Sequence, residues 1–219
     1  MLNLQRKSDL FFESLPSYHN DYLDVGDGHK IYYEQYGNPN GKPILFLHGG
    51  PGAGFSNSHK GFFDPKLFRV IFFDQRGSGK SIPYAETESN NTEAILSDIE
   101  LLRSLLNIDQ WYLFGGSWGS TLALLYGIKF PKRCLGFILR GIFLGSDEEV
   151  NWFLYDMKKF FPEAYDKFIS YVPLTFKNNV LEWFHKQLSA VSYTHLRAHE
   201  TRGNLVSPGL VGKKWGGGG

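Results

Sequence analysis

Dense apolar runs alternate with amphipathic stretches along most of the chain, and the period of each run predicts its element. Pro43–Leu47 (PILFL) and Phe68–Phe73 (FRVIFF) are continuous apolar and aromatic runs bounded by glycine-rich or polar residues, as expected of buried strands in a mostly parallel sheet. Two further β-like segments, around Tyr22–Val25 and Lys30–Tyr36, flank the turn-forming Gly26, Asp27 and Gly28 and predict an N-terminal hairpin. Between Asn91 and Asn107 the spacing becomes helical: Ile95, Ile99, Leu102 and Leu106 recur on one face, with Thr92 as the expected N-cap. Trp111–Phe114 reads as a strand, Ser120–Phe130 as a helix stopped before Pro131, and Cys134–Leu139 as another strand. Strands alternating with helices predict a parallel α/β architecture.

Beyond Gly145 the strand pattern ceases. Val150, Phe153, Met157, Phe160 and Phe161 predict a helix ended by Pro162, and Val180, Phe184 and Leu188 continue helical spacing. The aromatics Trp152, Phe153, Tyr155, Trp183 and Phe184 are expected to pack between helices, although they could also line a substrate pocket.

Composition narrows the function classes. Hydrophobic residues make up 42% and charged residues 21% of the 219, which is a globular balance and not that of a disordered chain. Lys and Arg number 23 against 22 Asp and Glu, so there is no basic field to hold a phosphate backbone, and nucleic acid is excluded as a partner. The N-terminus carries Arg6, Lys7, Asp9 and Glu13 where an export signal needs an unbroken apolar stretch. No run approaches the ~18 apolar residues of a membrane span. A soluble protein in the reducing cytoplasm is the expectation. The single cysteine, Cys134, has no partner for an internal disulfide and is expected to be a small buried apolar group.

The candidate chemistry lies in two glycine-rich turns. Gly115, Gly116, Ser117, Trp118 and Gly119 spell G-x-S-x-G after a predicted strand and before a predicted helix, the context in which a sharp turn exposes a nucleophilic serine. The alternative is a glycine-rich turn with an incidental serine. The N-terminus of the following helix places unsatisfied N–H groups where an oxyanion would develop. His48, Gly49, Gly50, Pro51 and Gly52 follow the PILFL strand, at the place of the loop that completes an oxyanion hole. The backbone N–H groups of Gly50 and Trp118 are the expected donors, with Gly49 as a substitute for Gly50. His48 precedes the serine, whereas the order in this arrangement is serine, acid, histidine, so His48 is assigned a structural role.

Nucleotide-binding readings fail by position. A dinucleotide fingerprint from Gly50 and Gly52 requires glycine where Phe55 stands, and a phosphate loop ending in Gly79, Lys80 and Ser81 requires glycine where Asp74 stands. Asp74–Gly79 reads instead as a polar structural turn near the rim of the site.

With HGGPG at His48–Gly52, DQRGSGKS at Asp74–Ser81, GGSWGS at Gly115–Ser120 and LRGIFL at Leu139–Leu144, the chain resembles the proline iminopeptidases (prolyl aminopeptidases), from about Ser17 to Ala190. The resemblance implies an α/β-hydrolase fold, an α/β class with a mostly parallel sheet and a helical cap. It also implies a serine exopeptidase acting on peptides with a free N-terminal proline, without metal or cofactor. Residues 1–145 then form the N-terminal part of the hydrolase domain and residues 146–190 a partial cap. Glu148 and Glu149 are expected to be solvated residues at a helix start and not the carboxylates that bind the substrate's amine.

Two expectations limit this reading. Val191–Thr201 resembles the translation of a transposase adapter used in sequencing libraries, so residues 191–219 are expected to be read-through, and His195 and His199 within them are set aside. The triad acid and histidine are then not encoded. After Ser117 only His185 and acids such as Asp147, Asp156 and Asp166 remain, His185 reading as a surface helix residue. The chain as written is expected to be inactive and to fold poorly, with an unpaired sheet edge. The alternatives are an esterase of the same fold or a non-catalytic hydrolase-like binding protein. An epoxide or halide enzyme would carry aspartate in place of Ser117.

Overall fold

The structure is a computed structural model and describes residues 11–190. The expectations for residues 191–219, including His195 and His199, lie outside the described residues. Between Leu144 and Gly145 the chain divides into two compact units.

The first unit is built on strands β1 (His19–Gly26), β2 (His29–Gly37), β3 (Lys42–Leu47), β4 (Phe68–Phe73), β5 (Trp111–Ser117) and β6 (Cys134–Ile142). They form one mixed sheet in the order β1-β2-β4-β3-β5-β6. β1 and β2 make the expected hairpin, and β2 joins β4 antiparallel. β4, β3, β5 and β6 are mutually parallel, so the expected α/β class and mostly parallel sheet are borne out.

The period-two alternation of the central strands explains their unbroken apolar runs. Leu45, Leu47, Ile71, Phe73 and Leu113 point to one face, where they meet Ile95, Ile99 and Leu102 of α1 (Thr92–Leu105) and Leu122, Ala123 and Tyr126 of α2 (Trp118–Lys129). Ile44, Phe46, Val70 and Phe72 point to the other, against Tyr36 and Phe63. Both faces are covered, so every position along β3 and β4 profits from being apolar. β6 is at the sheet's end, and its Leu135, Phe137, Ile138 and Ile142 are 43% to 57% exposed.

Three local expectations change. The N-cap of α1 is Asn91, whose side chain accepts from Ala94 N–H, because Thr92 already has helical geometry. Cys134 is half-buried, since it opens the end strand. In the second unit, the stretch predicted as one helix up to Pro162 is α3 (Asp147–Tyr155) followed by a 3-10 turn (Asp156–Lys159). Pro162 then opens α4 (Pro162–Ser170), at a position where its missing N–H leaves no bond unmade. Ser146 and Glu149 start α3 with a reciprocal capping box. α5 is Val180–Ala190. Tyr155, Trp183 and Phe184 pack around Leu154, Val172 and Val180, whereas Trp152 and Phe153 are about half exposed.

The polar turn after β4 is a hub of the first unit. All five guanidinium N–H groups of Arg76 are used: two on the Asp98 carboxylate of α1, one on Asp27, one on Ser89 O and one on Val25 O. Arg76 and Asp98 are 5% and 1% exposed. Burial pushes the Asp98 carboxyl above its ordinary value, against the pull of Arg76. Arg76→Met strands that carboxylate and is expected to cost about 3–5 kcal/mol in urea unfolding. Arg76→Lys recovers only part, because an ammonium has three donors and no fork. Equal stability of Arg76→Met and the parent would show that the hub is dispensable.

Candidate functional site

Ser117 stands where β5 passes into α2 with no intervening residue. Its backbone is in a left-handed conformation, φ 55° and ψ −125°, and its side chain is exposed. A non-glycine residue there is strained by about 1–3 kcal/mol and persists only if its surroundings enforce it. They do so by proximity. A Cβ on Gly119 would lie 2.1 Å from Leu47 O, and one on Gly115 would lie 2.2 Å from Gly119 O, so α2 can start this close to β3 and β5 only with glycine at both places. Ser120 Oγ donates to Ser117 O at 2.6 Å and accepts from Phe143 N–H at 3.1 Å. The first turn of α2 thereby also holds the segment after β6.

Ser117 opens into a cavity of about 290 Å³ shared with His48, Gly49, Gly50, His59 and Arg140. Gly49 abuts the serine: a Cβ there would lie 3.4 Å from Ser117 Cβ and 3.0 Å from Gly116 O. Gly50 lines the same cavity with φ 121°. Trp118, half-buried, is the first residue of α2, where backbone N–H groups have no intrahelical acceptor. A depression of about 420 Å³ at the opposite ends of the strands is lined by Pro43, Ile108, Gln110 and Arg69 among others; Arg69 is bonded to Gln35 and to Leu106 O, and Ser117 is not part of it.

Neither histidine of the cavity offers a free lone pair. His48 is 2% exposed, its Nδ1–H donates to Gly49 O at 2.9 Å, and its Nε2 accepts from Gln75 N–H at 3.0 Å. A backbone N–H can only donate, so the proton is assigned to Nδ1. Burial lowers the ring's pKa to about 4, so it is neutral at pH 7. His59 Nδ1 accepts from Ser56 N–H at 3.0 Å, which leaves Nε2 as a donor in the neutral ring. Burial, and then the charge of Arg140, lower its pKa. Arg140, over the Phe62 ring at 5.7 Å, gives the cavity a positive charge, and the lining includes no acidic side chain.

Sequence reasoning did not single out His59 or Arg140. Arg140 lies within the LRGIFL motif and His59 in no motif, but no spacing ties either to Ser117, since they come from a 3-10 turn and from β6 and meet the serine only in the fold. His185 and the acids Asp147, Asp156 and Asp166 belong to the second unit. Among the described residues no group of three or more His, Cys, Asp or Glu is placed to hold a metal ion. No described helix is long and apolar enough to cross a membrane.

Residues 42–218 match the family described as alpha/beta hydrolase fold. The chain is 48% identical over 180 residues to a probable proline iminopeptidase of Leptolyngbya boryana, 82% of this chain and 56% of that protein. It is 42% identical over 193 residues to a proline iminopeptidase of Arabidopsis thaliana, 85% of this chain and 51% of that one. The chain thus spans about half the length of these relatives. Among solved structures, a proline iminopeptidase-related protein of Thermus thermophilus superposes with TM-score 0.50 at 33% identity, covering 55% of this chain and 43% of that one. An epoxide hydrolase of Vigna radiata, TM-score 0.51 at 20% identity over 64% of this chain and 47% of its own, shares the fold.

The His48 environment makes stability pH-dependent. The folded ring titrates near 4 and the unfolded one near 6.5. The unfolded state therefore binds more protons between these values, and stability falls as pH drops through that window. Its contribution is fully present above 6.5, and the loss reaches on the order of 3 kcal/mol by pH 4. In urea unfolding, the stability difference between the parent and His48→Gln is expected to shrink from pH 7 to pH 4. A difference that stays constant over this range rules out the titration of His48.

Proposed function

The chain belongs to the alpha/beta hydrolase fold family, and from that premise we propose that Ser117 is the nucleophile of a serine exopeptidase releasing N-terminal proline from peptides. The observation that carries the reading is the Ser117 elbow, strained and exposed, facing the Gly49–Gly50 turn across one small cavity. The similarity to proline iminopeptidases at 42% to 48% identity supplies the substrate class.

In this reading Ser117 Oγ attacks the carbonyl carbon of the terminal proline, and its proton passes through a base to the leaving amine as the C–N bond breaks. The N–H groups of Gly50 and Trp118 hold the oxyanion, and Arg140 adds favourable potential in the same cavity. Water then releases proline from the serine ester. No step needs a metal or cofactor. His48 and His59 cannot supply the base, because their acceptor nitrogens are engaged by backbone N–H groups. The 219 residues by themselves are accordingly proposed to lack peptidase activity. A cytoplasmic location completes the proposal.

The test joins this chain to the part of the Leptolyngbya boryana relative that lies beyond the match. Ser117→Ala is expected to lower hydrolysis of a chromogenic proline amide by about 10⁴-fold or more with substrate binding retained. Turnover near the parent's would remove Ser117 from the chemistry. N-acetylation of the substrate's proline is expected to abolish turnover, and equal rates with and without the acetyl group would favour a general esterase or amidase.

A further inference from the structure

The sheet ladder between β3 and β5 ends at the pair Leu47 and Gly115. Past that pair the His48–Gly50 turn and the Ser117–Trp118 elbow are no longer joined by strand hydrogen bonds, although an oxyanion hole shared between them needs their separation held within a fraction of an ångström. The close contacts of Gly49 and Gly119 set how near the two segments can come. They do not pull the segments together.

Gln75 supplies that pull. It follows β4, is 2% exposed, and hydrogen-bonds to both segments. Its side-chain Nε2–H donates to His48 O at 3.0 Å, and its Oε1 accepts from Trp118 Nε1–H at 3.1 Å. Its backbone N–H donates to His48 Nε2 at 3.0 Å, and its carbonyl accepts from Ser78 N–H and Ser78 Oγ–H at 3.1 and 2.7 Å. The orientation of the amide follows from its partners, because an indole can only donate and a carbonyl can only accept.

We propose that Gln75 is a positioning residue that preforms the oxyanion hole by bracing the His48–Gly50 turn against Trp118. The bond to His48 O fixes the peptide that leads into Gly49. The bond to the indole fixes the residue whose backbone N–H opens α2. The proposal rests on Ser117 being the nucleophile but not on the substrate being a peptide.

The probe is therefore phenylboronic acid, titrated into the extended protein and followed by boron-11 NMR. Its boron accepts an electron pair from Ser117 Oγ, the Oγ–B bond forms as the hydroxyl proton passes to solvent, and a boronate oxygen takes the oxyanion position. Saturable binding that Ser117→Ala abolishes is expected. Gln75→Met, which keeps the bulk and removes both amide bonds, is expected to lower the melting midpoint, because His48 O and the Trp118 indole lose their partner, and to weaken binding by about tenfold or more in the folded protein. Trp118→Phe removes only the indole donor and weakens binding by a smaller factor. The double variant binds no worse than Gln75→Met, because the two share one interaction. Gln75→Glu can still accept from the indole but can donate to His48 O only when protonated, so its affinity relative to the parent rises as pH falls.

Should Gln75→Met not fold, Trp118→Phe decides the matter. Binding as tight as the parent's in a folded Gln75→Met or in Trp118→Phe overturns the proposal. So does an unaltered extended protein that shows no Ser117-dependent binding, since a preformed hole is what the brace is held to produce. Boronate binding that depends on Gln75, together with no hydrolysis of proline amides by the extended protein, would remove the peptidase reading and leave the brace standing.

Discussion

The N-terminus of α2 runs so close to the ends of β3 and β5 that no side chain fits between them, and the rest of the first unit is arranged around that contact. Gly119 lies against Leu47 O and Gly115 against Gly119 O, closer than any Cβ would tolerate. With strand and helix directly adjacent in sequence, the chain reverses within one residue, and that residue is Ser117 at φ 55°. The cost of this conformation is about 1–3 kcal/mol, small beside the burial of Leu122, Ala123 and Tyr126 on the inner face of α2. The strain is stored at the serine because the helix cannot move away without uncovering its core.

The same contact explains why so much polar chemistry is buried beside the sheet. Strand ladders end at the level of Leu47, Phe73 and Ser117, and the segments beyond them need other partners for their backbone groups. Asp74 accepts from Phe55 N–H and Lys80 N–H, Gln75 engages His48 and Trp118, and Arg76 ties Asp98 to the hairpin turn. Three consecutive residues thus hold the far end of the glycine turn, its near end, and the α1 side of the unit. Away from the strand ends, a second buried pair works similarly. Burial alone would raise the Glu34 carboxyl, but hydrogen bonds from Ser17, Lys60 and Tyr32 bring it down to about 2. The Lys60–Glu34 pair, 2.9 Å apart, pins the 3-10 turn that carries His59 to the sheet.

The resulting cavity has a consistent electrostatic character. Its histidines are neutral and locked by backbone donors, its charge is the guanidinium of Arg140, and Ser117, the residue before α2, lines it. Such a site favours negative charge developing on a bound carbonyl oxygen over a charge already present on the protein. Proton transfer is left to groups outside the described cavity lining.

What the sequence by itself determined was the local order of the chain. The runs PILFL and FRVIFF named two central strands because both sheet faces bury them, and G-x-S-x-G between a strand and a helix named the elbow because only glycine permits that approach. Where a boundary depends on one capping hydrogen bond, as at Asn91, pattern alone missed it, and at Pro162 it read the first residue of a helix as the stop of the one before. The tertiary structure decided which distant residues share a site. His59 and Arg140 enter the Ser117 cavity through a short turn and the end strand, and Gln75 reaches His48 and Trp118 only because β4, β3 and β5 lie side by side. Periodicity reports which face of an element is buried, whereas side chains that meet across strand ends are set by sheet order and register, which no local spacing encodes.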